Sequence, residues 1–224
     1  MTFSLVARCA QSGMFGVAIS SSSPAVAARC AYAQAGVGAV ASQNVTDPRL
    51  GPWALGLMQA GASPAEVRAI LRRRAQHMQY RQVLMVDARG ETCIHSGPNA
   101  LGIWAEAQAE NVAAGGNLLA DAGVPQAMVA GFQAASGHLG DRLLAAMQAG
   151  LAAGGEAGPV HSAGLLLVDQ HSWPLADLRC DWTLDCPIAA LQAAWQVYKP
   201  QINDYVARAL NPAAAPSYGV PGDD

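Results

Sequence analysis

The order in which strand-like and helix-like segments follow one another constrains this chain more than any single motif. Alternating apolar residues predict three strands before residue 44, and two helices follow them. Four short strands, two helices, two strands and a last helical stretch complete the chain. Because helices and strands come in blocks, the pattern opposes a Rossmann or TIM-barrel arrangement. It favours an α+β class in which antiparallel sheets form a sandwich with helices outside.

The predicted elements divide the chain as follows. Strands are predicted over residues 2–8, 15–22, 36–43, 81–87, 91–95, 101–109, 111–116, 161–169 and 173–180. Helices are predicted over residues 51–60, 63–76, 124–135, 140–153 and 187–210, with a break at Pro200. Residues 24–35 are rich in small side chains and indicate a short helix or a packed crossover. We expect one domain over residues 1–210, followed by an Ala- and Pro-rich tail over 211–224 that is either disordered or an arm lying on a neighbouring chain.

Composition excludes several classes of function. Hydrophobic residues make up 52% of the 224 residues and charged residues 13%, which provides for a sizeable core and a subunit interface, so we expect a homo-oligomer. The net charge of −3 argues against nucleic acid as a partner. No apolar run is long enough to span a membrane, and no signal peptide is recognisable. We therefore expect a cytoplasmic protein with no membrane partner.

Cysteine, histidine and glycine spacings give no sign of a metal or a cofactor. The five cysteines include no CxxC pair, and their odd number suits free thiols in a reducing compartment. The five histidines are scattered, so no metal site is predicted. The GxSxG, HExxH, Walker and GxGxxG patterns are also missing. A reaction on this scaffold would therefore need a nucleophile that depends on none of these patterns.

The first strand offers such a nucleophile at its second residue. If Met1 is removed, Thr2 becomes the first residue, and its hydroxyl can act as the nucleophile with its own α-amine as the base. A free α-amine titrates near a pKa of about 7.7–8.0, so a useful fraction is unprotonated at neutral pH. A turn at residues 11–13 makes the first two strands a hairpin and puts Thr2 beside Ser21 or Ser22. The competing interpretation is that Thr2 is only the first residue of an edge strand.

Short segments along nearly the whole chain together resemble one protein family. They are Thr2-Phe3-Ser4-Leu5-Val6-Ala7, Phe15-Gly16-Val17-Ala18-Ile19-Ser20, Gly36-Val37-Gly38-Ala39-Val40-Ala41-Ser42-Gln43, Arg81-Gln82-Val83 with Val86-Asp87, Gly116-Asn117, Arg142-Leu143-Leu144, Ala153-Gly154-Gly155, Ser162-Ala163 and Asp177-Leu178-Arg179. In this order they resemble a bacterial domain-of-unknown-function family, number 1028, whose members have an N-terminal-nucleophile (Ntn) hydrolase-like fold. The resemblance implies a four-layer αββα sandwich and an amide hydrolase with Thr2 first in the mature chain. It implies no particular substrate beyond a small-molecule amide.

Two residues depart from the pattern of that family. Glu156 stands where the resemblance leads us to expect Asp after two glycines, and His161 stands where Gln is usual before Ser162-Ala163. His161 is either a polar group specific to a subfamily or a packing change at the start of a strand. The second interpretation is preferred.

The residues near Thr2 suggest how such a site would work. We expect Thr2 and Asn117 to be the catalytic residues, with the amide of Asn117 donating to an oxyanion. Gly116 would add a backbone N–H, and Ser21 or Ser22 would hold the α-amine.

Two further polar residues are candidates for substrate binding. Asn44 lies in the loop after the third strand, and Arg81 could bind a substrate carboxylate or brace an internal one such as Asp177. Two other functions stay open for the chain. One is a non-catalytic oligomeric protein that binds a small molecule on the same fold, and the other is an isomerase or deaminase that uses the pocket without the α-amine.

Overall fold

The computed structural model describes residues 1–220, which form two antiparallel sheets and the helices that pack on them. The strands are β1 (Thr2–Arg8), β2 (Phe15–Ser21), β3 (Ala31–Gln34), β4 (Gly38–Asn44), β5 (Arg81–Asp87), β6 (Thr92–Ser96), β7 (Ala105–Ala109), β8 (Val112–Asn117), β9 (Ser162–Val168) and β10 (Ala176–Cys180). The helices are α1 (Ala27–Cys30), α2 (Leu50–Gln59), α3 (Pro64–Arg74), α4 (Val124–Ala134), α5 (Leu139–Ala152), α6 (Pro187–Tyr198) and α7 (Ile202–Leu210). None of the described helices is long and apolar enough to cross a membrane.

The strand order places β1 in the interior of the larger sheet. The six-stranded sheet runs β10-β9-β2-β1-β8-β7, and the four-stranded sheet runs β3-β4-β5-β6. The interpretation of Thr2 as part of an edge strand is therefore wrong, because β2 and β8 pair with β1 on its two sides. Every residue of β1 except the last is buried, which explains its nearly continuous apolar composition.

Alternation along β1 sends its side chains to two different apolar clusters. Phe3 and Leu5 pack with residues of α4, α5 and α6, whereas Val6 packs with residues of the four-stranded sheet such as Ala41 and Leu84. The other face of the four-stranded sheet carries a third cluster, shared with α2 and α3. Residues 2, 4 and 6 of β1 therefore face the four-stranded sheet.

The structure corrects the predicted elements at three places. Residues 24–35 contain both α1 and an additional edge strand, β3, whose four half-buried residues are too few to show a period. Strand β7 begins only at Ala105, and the preceding loop bonds to the residues that follow β8. There the Leu118 N–H donates to the carbonyl of Leu101 and the Leu119 N–H to that of Ile103. Strand β10 begins at Ala176, after Pro174.

The C-terminal stretch begins and breaks where the prolines predict. Helix α6 has Pro187 at its first turn, and a 3₁₀ turn with Pro200 separates it from α7. The start of the tail returns to α7, where the Arg208 guanidinium lies 3.8 Å from the centre of the Tyr218 ring. Residues 221–224, the end of the expected tail, lie outside the described residues.

Candidate active site at the start of the first strand

A row of four buried polar side chains crosses the larger sheet at the start of β1. The row is formed by Ser162 of β9, Ser21 of β2, Thr2 of β1 and Asn117 of β8, and none of them is more than 6% exposed. The register pairs Ser162 with Ser21 and Thr2 with Asn117, and the Phe3–Ser20 pair places Thr2 opposite Ser21. Directly opposite residues present their side chains on one face, so the row faces the four-stranded sheet.

The hydroxyls of Thr2 and Ser21 hold an amide carbonyl between them. Their oxygens are 3.3 Å apart, and both hydroxyls donate to the carbonyl oxygen of Met1. The Ser23 N–H donates to Ser21 Oγ at 3.0 Å, which leaves the hydroxyl proton of Ser21 for the carbonyl. Two hydroxyls from neighbouring strands therefore meet at one carbonyl group.

Asn117 presents an acceptor at this site. Its Nδ2 donates to Gln82 Oε1 at 3.4 Å, whereas Oδ1 is buried without a partner among the described residues. The orientation is fixed by Gln82, whose Nε2 donates to the carbonyl of Gly116 at 3.2 Å and to Ser96 Oγ at 3.0 Å. Since Gln82 Oε1 must then accept, the unpaired atom of Asn117 is its oxygen, which cannot donate to an oxyanion.

A buried polar network connects this row to the other sheet. Gln43 of β4 donates to Gln82 Oε1 at 2.7 Å and to the carbonyl of Gly115 at 3.1 Å, and it accepts from Ser4 Oγ at 2.6 Å. Ser4, Gln43 and Gln82 are completely buried between the sheets. The network was not predicted, although a glutamine at an inward-facing position of an apolar strand was the signal that could have revealed it.

Glu156 is a second group that sequence reasoning did not place at the site. Its backbone forms a bridge to Leu119, just beyond β8, and its carboxylate accepts from the Ser22 N–H, with both oxygens at 3.2 Å. The segment around Glu156 therefore crosses the end of the sheet from β8 to β2, over the start of β1. Burial raises the pKa of Glu156 to about 7, an effect that the chain-start ammonium and the hydroxyl and N–H of Ser22 only partly offset.

Ser22 and Gly116 adjoin the row and make backbone hydrogen bonds there. Ser22 offers its N–H to Glu156. Gly116 lies in β8 between β1 and β7, so sheet pairing on both sides takes up its backbone groups, and its carbonyl also accepts from Gln82. The expectation that Gly116 offers a free N–H to an oxyanion is therefore not met.

Asn44 lies at the end of β4 and is occupied by backbone partners. Its Nδ2 donates to the carbonyl of Tyr80, and its Oδ1 accepts from the Leu101 N–H at 3.2 Å. Its φ of 75° is a left-handed conformation that asparagine tolerates better than most residues. The structure gives Asn44 a role in holding the loop before β7 and does not bring it to Thr2.

Arg81 pairs with Asn44 in the ladder between β4 and β5 and is likewise separate from the row. Alternation puts its side chain on the face of Val83, which packs with α2 and α3, and its guanidinium donates to the carbonyl of Val45. The expectation that Arg81 braces Asp177 is wrong, because Asp177 forms an ion pair with Arg179 at 2.7 Å.

His161 supports the end of β2 from outside the row. Its N–H donates to the carbonyl of Ser21 at 2.8 Å, its Nδ1 lies 2.8 Å from the carbonyl of Thr183, and its ring stacks on Trp182. These contacts agree with the preferred interpretation of His161 as a packing change at the start of a strand.

Outside the row, the described residues line a cavity but bring no metal-binding set of side chains together. No group of three His, Cys, Asp or Glu side chains comes together within residues 1–220 as a metal ion would require. A cavity of about 490 Å³ lies between β3, α2 and β10, and its polar lining includes Tyr32, Gln34, Asp177 and Arg179. It contains no nucleophile paired with a base.

Comparison with known proteins identifies relatives over most of the chain. The family model described as "Family of unknown function (DUF1028)" matches residues 2–191. The crystal structure of protein SPO2555 from Silicibacter pomeroyi, also described as DUF1028, is 28% identical, covers 88% of this chain and 89% of its own, and superposes with a TM-score of 0.82. Anbu (ancestral beta-subunit) from Yersinia bercovieri is 12% identical over 91% of this chain and 97% of its own, with a TM-score of 0.40. No curated protein matches the chain.

Proposed function

The chain belongs to the DUF1028 family, and we propose that it is an amide hydrolase of the N-terminal-nucleophile type, in which Thr2 is the nucleophile once everything before it has been removed. One observation carries the proposal: the buried hydroxyls of Thr2 and Ser21 converge on an amide carbonyl at the start of an interior strand. The substrate is a small molecule that contains an amide bond.

The proposal includes the architecture of such hydrolases, a four-layer αββα sandwich in one domain over residues 1–210. The three apolar clusters support it. One lies between the two sheets, and the other two join each sheet to its own helices. This architecture would put a site at the ends of β1, β2 and β8, beneath the segment around Glu156.

The reaction follows from the groups at the start of β1. Thr2 Oγ1 attacks the carbonyl carbon of the substrate amide, and its proton passes to the α-amine of Thr2. Collapse of the tetrahedral intermediate breaks the C–N bond, and the same proton goes to the leaving amine. Water then attacks the ester on Thr2 Oγ1 and gives its proton to the α-amine. Release of the carboxylic acid restores the Thr2 hydroxyl.

The structure favours Ser21, rather than Asn117, as the donor that stabilises the oxyanion. The Ser21 hydroxyl already donates to the Met1 carbonyl oxygen, whereas the free atom of Asn117 is an acceptor. Asn117 Oδ1 is then available to an N–H group in the site. This exchanges the roles that the sequence suggested for the two residues.

The test compares proteins whose first residue is established by intact mass. Protein that begins at Thr2 should hydrolyse at least one member of a panel of simple amides, and protein that retains Met1 should not. Thr2→Ser should keep part of the activity and Thr2→Ala should lose it, because only the hydroxyl is common to Thr and Ser. Equal turnover by Thr2→Ala would refute the nucleophile and favour an isomerase- or deaminase-like use of the pocket.

The cavity between β3, α2 and β10 supports a second candidate, non-catalytic binding of a small molecule, because concave sites with a few polar groups commonly hold ligands. Two results together would favour binding over hydrolysis. Protein that begins at Thr2 would hydrolyse no amide, and Arg179→Ala would abolish the rise in melting temperature that a small-molecule ligand causes in the parent.

We also propose a homo-oligomer, since large apolar side chains such as Trp182 and Leu184 are exposed.

A further inference from the structure

Met1 lies in the candidate site as an aminoacyl group would, and each of its parts has a different neighbour. Its carbonyl oxygen accepts from the hydroxyls of Thr2 and Ser21. Its ammonium forms no ion pair with Glu156, although its charge lowers the pKa of that carboxyl group. Its terminal methyl group is 3.6 Å from the place where a Cβ on Gly158 would stand, so its side chain passes over a residue that has none.

The position of the Met1 carbonyl indicates where the carbonyl of a substrate would lie, because of the covalent geometry of threonine. The nitrogen and Oγ1 of Thr2 are attached to adjacent carbons, so an acyl group bonded to one atom lies close to the other. The Met1 carbonyl therefore marks the neighbourhood in which Thr2 Oγ1 would meet the carbonyl of a substrate. The groups around the rest of Met1 are then the groups that would surround the acyl part of that substrate.

Glu156 is the group at this place that most needs a partner. Its side chain is buried, its hydrogen-bond partner among the described residues is Ser22, and no Arg or Lys there is paired to it. A buried carboxylate is costly unless a cation or several donors compensate it. Asn117 Oδ1 is an independent, buried acceptor without a partner at the same end of β1. Two acceptors without a paired Arg or Lys match a ligand that brings its own ammonium or N–H groups.

We propose that the acyl part of the substrate is an α-aminoacyl group with a free ammonium, which Glu156 binds while the Thr2 and Ser21 hydroxyls hold the carbonyl. The substrates are then aminoacyl amides or the N-terminal residues of short peptides, and N-acylated amides are excluded. This inference rests on the proposed function, because it names the substrate class of the same site. The competing role for Glu156, holding only the α-ammonium of Thr2, makes no distinction between substrates with and without an amino group.

The kinetic experiment uses protein that begins at Thr2 and three anilides that differ at one position: L-methionine p-nitroanilide, its analogue without the α-amino group, and its N-acetyl derivative. We expect kcat/KM for the free amine to exceed that for the other two anilides by a factor of about ten or more. This factor corresponds to the usual contribution of a hydrogen bond to a charged group. Glu156→Gln should remove this preference, so that this variant turns over the free amine and the analogue without the amino group with similar kcat/KM. Glu110→Gln, which makes the same exchange at an exposed position outside the site, should leave the preference for the free amine unchanged.

A binding experiment separates failure of this inference from failure of the proposed hydrolysis. Protein that begins at residue 2 and carries Thr2→Ala is titrated calorimetrically with L-methioninamide and with 4-(methylthio)butanamide. Tighter binding of L-methioninamide that disappears in the Thr2→Ala, Glu156→Gln double variant supports the substrate class even if no amide is hydrolysed. Equal binding of both amides, or equal turnover of anilides with and without the amino group, overturns the inference even if hydrolysis itself is found.

Discussion

At the scale of single residues, the proposed chemistry depends on two hydroxyl groups with different roles, Thr2 as the nucleophile and Ser21 as the donor to the oxyanion. Ser21 Oγ accepts from the Ser23 N–H, a contact that does not involve Met1, so the hydroxyl is held in place before any substrate arrives. Thr2 Oγ1 lies 3.3 Å from it on the neighbouring strand. A preoriented donor costs no reorganisation during the reaction, which is why such donors stabilise transition states strongly.

Replacing Ser21 by Ala should therefore lower kcat by about 10²-fold or more in protein that begins at Thr2, the usual effect of removing one oxyanion donor. KM should change less, because the donor acts mainly on the developing charge. The matched control is Ser20→Ala, which removes a buried hydroxyl one residue away on the opposite face, where it donates to the Ser162 carbonyl. An equal loss of kcat in the two variants would assign the effect to folding rather than to catalysis.

Glu156 makes stability depend on pH in a direction that follows from its raised pKa. The pKa is about 7 in the folded protein against an ordinary value of 4.5, so the folded state binds more protons between these values. The free energy of unfolding therefore falls as the pH rises through this window, and it is highest on the acid side. Neighbouring groups enter the same balance, namely the Ser22 N–H and the chain-start ammonium.

Glu156→Gln should remove this dependence, because Gln keeps the shape and carries no charge. Between about pH 5.5 and about pH 8, the variant should gain about 2 kcal/mol of unfolding free energy relative to the parent. Urea denaturation at the two pH values, with Met1 retained in both proteins, measures the difference. A constant difference between the two proteins at both pH values would show that the carboxyl group titrates normally.

At the scale of elements, alternation and hairpin geometry predict the part of the site that is local in sequence. The turn at residues 11–13 and the period of two in β1 and β2 narrow the partner of Thr2 to Ser21 or Ser22, and the observed register selects Ser21. The same reasoning missed β3, because it is only four residues long. It also missed the roles of Gln43 and Gln82, because both side chains bond to groups of the opposite sheet. Pairing between elements far apart in the chain is not encoded in any local period.

Gln82 is the residue whose replacement best tests the buried hydrogen bonds between the two sheets. It accepts from Gln43 and Asn117 and donates to Ser96 and to the Gly116 carbonyl, so Gln82→Leu leaves several buried groups unpaired. The expected loss of unfolding free energy is about 1–3 kcal/mol or more, measured by urea denaturation. The same substitution at the exposed Gln108 of β7 should change stability by less than about 0.5 kcal/mol. Loss of similar size at both positions would contradict the importance of the buried network.

At the scale of the whole molecule, the candidate site is assembled from segments that are more than a hundred residues apart. Asn117 reaches Thr2 because β8 pairs with β1, and Glu156 reaches it because its segment bridges β8 and β2. The sequence indicates Asn117 only through a family resemblance and Glu156 only as a departure from it. Neither position could be derived from periodicity, since strand order within a sheet depends on packing between distant elements.

The C-terminal stretch tests where the folded unit ends. The family match stops at residue 191, yet Trp195 of α6 is completely buried, donates to Asp141 at 2.8 Å and packs against Gly140, where a Cβ would stand only 2.4 Å from its ring. Helix α6 should therefore be part of the core. Trp195→Ala is expected to cost about 3–5 kcal/mol of unfolding free energy, the usual range for a large buried aromatic side chain.

A chain that ends after Leu210 should lose much less than the Trp195→Ala protein. The tail contacts α7 through exposed groups, namely the Arg208 guanidinium, the Pro216 carbonyl and the Tyr218 ring, and such surface contacts contribute little. We expect the truncated chain to stay within about 1 kcal/mol of the parent in urea denaturation. If truncation after Leu210 were as costly as Trp195→Ala, the domain would extend into the tail. If Trp195→Ala were harmless, the core would end with the family match, and the burial of α6 would contribute nothing to the fold.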